Sequence, residues 1–168
     1  MIRKNDLLDA LLNECDICLH LHGKLPKGSL DYRPSPSQRS TLELLRYIAH
    51  AGTSGAHAMV DGNWDAYTAA EKRTSSMRAE EFPAAMAAQK KELAKIFAGI
   101  SDAQFDEQDA KLPTGETMKL GQALLRAPVS WMTAYRMQLF LYAKAAGSAE
   151  LWTPDCWAGK DMPRPARK

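Results

Sequence analysis

The chain reads as an all-α protein, a four-helix bundle running up-down-down-up with an irregular C-terminal tail. Three observations predict this. Apolar residues recur at three- and four-residue spacing over stretches near 6–25, 40–60, 80–100 and 119–146. Most of the glycine and proline falls between those stretches, where helices stop. The middle connection, residues 62–79, lacks a clean period and is longer than antiparallel neighbours need, as a crossover between the bundle's ends would be.

At 168 residues the chain fits one domain spanning 1–168, long enough to bury roughly 70% of its unfolded surface. A net charge of +2 gives no electrostatic case for nucleic acid. No apolar run approaches the roughly 20 residues that cross a bilayer, and acidic residues interrupt any leader-like core at the N-terminus. The expectation is a cytoplasmic protein with no membrane and no nucleic-acid partner. Cys15, Cys18 and Cys156 are an odd set, two of them within a helical pattern. That fits reduced thiols better than a disulfide framework.

The first helix carries a stripe of Leu8, Leu11, Leu12, Cys15, Cys18, Leu19 and His22, and the run LPKGSLDYRPSPSQRS ends it. Ser40-Thr41-Leu42-Glu43 then matches a capping box, and Asp61-Gly62 supplies a C-terminal stop for the second helix. Gly52 and Gly55 lie inside that helix, weakening it by about 1 kcal/mol each while letting a neighbour come close. The third helix turns Phe82, Ala85, Met86, Leu93, Ile96 and Phe97 inward, with Pro83 in its first turn. Residues 102–117 are polar and turn-rich. The fourth helix meets Pro128, which either kinks it or starts its second half. The tail shows no helical period, yet Leu151, Trp152 and Trp157 predict that it packs back over the bundle.

The fourth helix organises the rest. In WMTAYRMQLFLY, Trp131, Tyr135, Gln138 and Tyr142 share one face at about 100° per residue. Met132, Ala134, Leu139 and Leu141 flank it, which predicts a helix wrapped by others. Rings, a phenol and an amide are more polar equipment than a core needs. Arg136 falls about 140° from Trp131 and suits a structural ion pair.

LPKGSLDYRPSPSQRSTLELLRYIAH at 25–50, EEFPAAMAAQ at 80–89 and AYRMQLFLYAKAAG at 134–147 occur in an order that resembles the DinB-like superfamily. These four-helix bundles include YfiT-type metalloenzymes and thiol-dependent transferases. The resemblance implies the bundle, and a divalent metal such as zinc or nickel held by three histidines. One of those would sit on the second helix, and a pair four residues apart on the fourth. The matching positions here are Tyr47, Trp131 and Tyr135. Neutral tyrosine and tryptophan are not usual ligands for such metals. The expectation is therefore no cofactor, with the metal as the family-based alternative.

Other metal routes are poorer. His50, His57 and Asp61 offer ligand chemistry, but 50 to 61 covers about 16 Å of helix, so one ion cannot join its ends. Cys15, Cys18 and His22 share a face of the first helix, where buried cysteines ordinarily serve as small apolar fillers. Gly52-Thr53-Ser54-Gly55 is no nucleophile elbow, because it lies within a helix. Phosphate-binding and dinucleotide glycine patterns are absent.

What remains is a site of Tyr47, His50, Trp131, Tyr135 and Gln138. Its rings either fill the former metal position or wall a small-molecule pocket. The competing reading is a metal- or thiol-dependent transferase or hydrolase with a relocated site around His50. Met137 and Phe140, opposite the stripe, point to a homodimer face.

Overall fold

A computed structural model describes residues 2–164. Four long helices carry the fold: α1 (Lys4–Gly23), α2 (Thr41–Asp61), α4 (Phe82–Gly99) and α7 (Ser130–Ala146). Shorter pieces join them: α3 (Asp65–Thr74), α5 (Asp102–Glu107), an antiparallel hairpin of β1 (Asp109–Lys111) and β2 (Thr117–Lys119), and α6 (Leu120–Leu124). A last turn of helix, α8 (Thr153–Ala158), follows α7.

The up-down-down-up order can be read from side-chain pairs. Tyr47 meets Tyr135 and Gly55 meets Trp131, so α2 and α7 run antiparallel. Gln89 bonds to Ile48 while His57 faces Glu92, so α2 and α4 are parallel. Lys90 pairs with Asp16 and His22 reaches the carbonyl of Ala79, which sets α1 antiparallel to α4. Each long helix touches two neighbours, and α1 lies diagonal to α2.

The α2 start follows the sequence signal. Ser40 Oγ accepts from the Glu43 N–H at 3.2 Å, and Glu43 accepts from the Ser40 N–H at 2.6 Å. Gly62, at φ +70°, ends the helix in the left-handed region that glycine tolerates.

Three stretches differ from the sequence expectation. Residues 62–79 are no structureless crossover: α3 runs back along α2 there. It buries only Ala70 among its ten residues, so it shows no apolar period. Residues 102–117 hold α5 and most of the hairpin, elements too short for a periodic signal. Their order comes from Ser101 capping and from Phe105, whose ring packs where any side chain at Gly121 would collide. The tail also has a helix, α8, started by the Asp155 carboxylate accepting from the Trp152 N–H at 2.9 Å. The fourth bundle helix begins at Leu120, and Pro128 is absorbed by a wide turn over Leu125–Val129 rather than breaking the chain.

The core runs through Leu11, Ile17, Leu44, Ile48, Phe82, Leu93, Phe97, Met132 and Leu139. Across it lies one buried ion pair. Arg136 of α7 donates from Nε to Glu14 of α1 at 2.5 Å, and from a terminal nitrogen to the Cys156 carbonyl of α8. The structural role expected of Arg136 is thus present, and it anchors the tail as well. Ala134 and Leu141, expected to flank the buried stripe, face outward instead, because the buried arc of α7 centres on Met132, Arg136, Leu139 and Ala143.

Removing one member of a buried pair strands the other's charge. Arg136→Met should therefore cost about 3–5 kcal/mol in urea unfolding. Glu14→Leu added to it should recover much of that loss. An Arg136→Met loss below about 1 kcal/mol would show that the pair is not held buried in solution.

Candidate functional site

Where α2, α3 and α7 meet, six rings form one cluster. Tyr47 and Tyr135 are 4.5 Å apart between centroids, and His50 lies 5.4 Å from both Tyr47 and Tyr67. Trp64 stacks on Trp131 at 6.2 Å and meets Tyr67 edge-on at 5.8 Å. The Arg39 guanidinium lies 4.4 Å above Tyr47 and 5.8 Å from Tyr135, close enough for cation–π attraction. Beside this cluster is a recess of about 230 Å³ lined by Arg39, Arg46, Tyr47, His50 and Glu71 among others.

The sequence supplies the close approach. A Cβ at Gly55 would lie 3.0 Å from the Trp131 ring and 3.2 Å from Pro128, so glycine lets α7 press its indole against α2. A second device lies one turn earlier. The Gln89 amide donates to the Ile48 carbonyl at 2.9 Å, and its oxygen accepts from the Gly52 N–H at 3.0 Å. An undistorted α-helix joins those two backbone groups directly. Gln89 therefore braces this turn of the α2 ladder, and Gly52 makes room for it, since a Cβ there would sit 3.2 Å from the amide oxygen.

His50 sits between these two devices and is 97% buried, at 3% exposure. Its Nδ1 lies 3.0 Å from Ser54 Oγ. Burial first, then the positive Arg73 and Arg39, hold its pKa down to about 4, so the ring is neutral at pH 7. Burial and the neighbouring phenols of Tyr135 and Tyr67 raise the Tyr47 pKa, keeping that hydroxyl protonated.

Of the five residues singled out from sequence, Tyr47, His50, Trp131 and Tyr135 belong to this cluster. Gln138 does not: its amide donates to Tyr142 Oη at 2.7 Å, and Tyr142 donates to the Arg39 carbonyl at 3.1 Å. That chain supports the Arg39 backbone from behind. Trp64, Tyr67 and Arg39 were not anticipated. The only signal for the first two was their i, i+3 spacing in a stretch read as a connection.

The other metal candidates are dispersed. His57 lies 2.9 Å from Asp61 and 3.4 Å from Glu92, while His50 turns to Ser54. His22 bonds to the Ala79 carbonyl and packs on Phe82. Cys15 and Cys18 are buried thiols whose pKa burial raises, that of Cys15 to about 12. Among the described residues, one set of three donor side chains converges within 4.8 Å: His20, Asp155 and Asp161. His20 and Asp155 hydrogen-bond at 2.8 Å, and Lys24 pairs with Asp161 at 2.6 Å, which describes tail-to-helix bridges. No helix is long and apolar enough to cross a membrane among the described residues.

The architecture is that of an all-α, up-down-down-up bundle with an aromatic cluster between its second and fourth long helices. Its fold is DinB-like. The crystal structure of a DinB-like protein, YjoA from Bacillus subtilis, superposes at a TM-score of 0.66 with 16% identity, over 84% of this chain and 92% of that one. No protein-family model and no curated protein sequence matches the chain. The three positions where the resemblance places metal-binding histidines, Tyr47, Trp131 and Tyr135, do not fit a metal: they offer two phenols and an indole.

Two outcomes follow from this geometry. The folded state resists protonating His50, so its contribution to stability is complete above its ordinary value of 6.5 and falls as pH drops from there towards about 4. His50→Gln should flatten that part of the pH–stability curve, and an unchanged slope would contradict the assignment. Gly55→Ala should cost about 1–3 kcal/mol by forcing the Trp131 ring aside. A neutral result would mean that α2 and α7 do not approach this closely.

Proposed function

We propose that this DinB-like chain works without the three-histidine metal of the superfamily and binds a small organic molecule against its aromatic cluster. The observation that carries the reading is the packing of Tyr47 on Tyr135, two phenols at positions where that site would need imidazoles. A protonated phenol is a poor ligand for zinc or nickel, so no metal-dependent step is assigned. The adjoining recess supports the reading with the Tyr47 ring, the neutral His50 ring, and the Arg39 guanidinium as an orienting charge.

The alternative is a transferase or hydrolase built around His50, for which the contact of His50 with Ser54 is the favouring observation. We further propose a cytoplasmic setting, in keeping with three free cysteines. A second copy of the chain is proposed on the outward face of α7, where Met137 and Leu141 are exposed and Phe140 is half-buried.

Added zinc or nickel should leave the melting temperature of the native chain unchanged. The variant Tyr47→His/Trp131→His/Tyr135→His should gain stability with either ion. Fragments detected by ligand-observed NMR should lose binding in Tyr47→Ala. Stabilisation of the native chain by zinc, abolished in His50→Ala, would favour the alternative.

A further inference from the structure

On the opposite side of α3 from the aromatic rings, a cleft of about 520 Å³ opens between α2, α3 and α4. Its size is that of an organic-ligand pocket. The walls are short apolar side chains: Ala49 from α2, Ala66 and Ala70 from α3, and Ala85 and Ala88 from α4. Alanine on all three helices keeps the space open, because any longer side chain there would fill it.

The polar groups of the cleft divide into those already committed and those left free. The Thr74 hydroxyl is engaged with backbone carbonyls of its own helix, and that of Thr53 with the His50 carbonyl. The Gln89 amide is committed to the α2 backbone and to the sulfurs of Met86 and Cys15. His57 lies between the carboxylates of Asp61 and Glu92, and Glu92, which also lines the cleft, is paired with His57 and Lys95.

Two groups remain. Arg73 lines the cleft and forms no ion pair with a described carboxylate, and its charge is felt at His50. His50 has a free ring nitrogen. Ser54, 1% exposed, has no other acceptor among the described residues, so its hydroxyl donates to Nδ1, and the neutral ring then carries its proton on Nε2. No described group accepts from that N–H. Nor is it sealed: among the described residues, the one fully enclosed side-chain atom without a partner is Ser29 Oγ. Burying an N–H without a partner is costly, and a ligand acceptor at this spot relieves the cost.

We propose that this cleft binds a small organic anion with an apolar body. Its carboxylate or sulfonate is held by Arg73 and the His50 Nε2–H, and its body lies along the alanine walls. α3 is then the roof of a binding site rather than a mere return limb. Trp64 and Tyr67 fasten it on the aromatic side, and Ala70 faces the cleft. The cleft shares His50 with the aromatic cluster but takes its other walls from α3 and α4 rather than α7, so Arg73→Gln and Tyr135→Ala separate the two readings.

The test uses the full chain with two fluorescent probes of like shape, the anionic anilinonaphthalene sulfonate and the neutral phenylnaphthylamine. The sulfonate should bind saturably at one site. Arg73→Gln should weaken it about tenfold or more, the scale of a charge-assisted contact, and leave the neutral probe within about twofold. Ala85→Phe should weaken both by filling the cleft. Far-UV circular dichroism confirms that each variant is folded, and Arg73 and Ala85 lie outside the sealed core. Unchanged sulfonate affinity in both variants would overturn the proposal. So would loss of the sulfonate in Leu141→Lys, which would place the dye on the exposed face of α7, or in Tyr135→Ala alone, which would place it against the aromatic cluster.

Discussion

The contact of α2 with α7 is the constraint on which the site depends. Antiparallel helices usually stand 8–10 Å apart, and only small side chains at the crossing allow bulky rings to lie between them. Gly55 provides that room for Trp131, and one end of the seam is then filled by an indole stacked on Trp64. Two turns away, Tyr47 and Tyr135 close on each other beneath Arg39. A seam packed with rings has a different chemistry from one lined with imidazoles. It offers π faces and keeps the Tyr47 and Tyr67 hydroxyls protonated, the features on which the proposed recognition of an organic molecule rests.

The second constraint is the Gln89 amide braced against α2. By bonding to the Ile48 carbonyl and the Gly52 N–H, it ties α4 to α2 at the level of His50. The aromatic cluster and its recess lie on one side of α3, and the alanine-walled cleft, which Gln89 helps to line, lies on the other. His50 belongs to both, neutral and bonded through one nitrogen only. The buried pair of Arg136 and Glu14 does a comparable job on the far side of the bundle, fastening α8 and the tail to α1 and α7.

Helix periodicity made the four long helices legible, because each buries a continuous stripe whose spacing survives in the sequence. The Ser40–Glu43 cap was legible for the same local reason. α3 was not, since a helix that buries one alanine leaves no stripe to detect. That omission hid Trp64 and Tyr67, and with them a third of the aromatic cluster. Gln138 shared a helical face with Trp131 and Tyr135, but its amide found Tyr142 one turn on, a pairing that spacing alone does not rank. The orientation of Leu141 was misjudged because the buried arc of α7 is fixed by a charged residue, Arg136, whose partner lies 122 residues away. Non-local pairing of this kind leaves no trace in local spacing. The role of the two α2 glycines could be guessed as close approach, but not that one admits an indole and the other an amide.

The central claim is that aromatic side chains occupy the place of a metal site. Elemental analysis of the untagged protein, purified without chelator and without a nickel column, tests it most directly. The account predicts transition metal far below one equivalent per chain. Near one equivalent of zinc or nickel, retained through gel filtration, would contradict it.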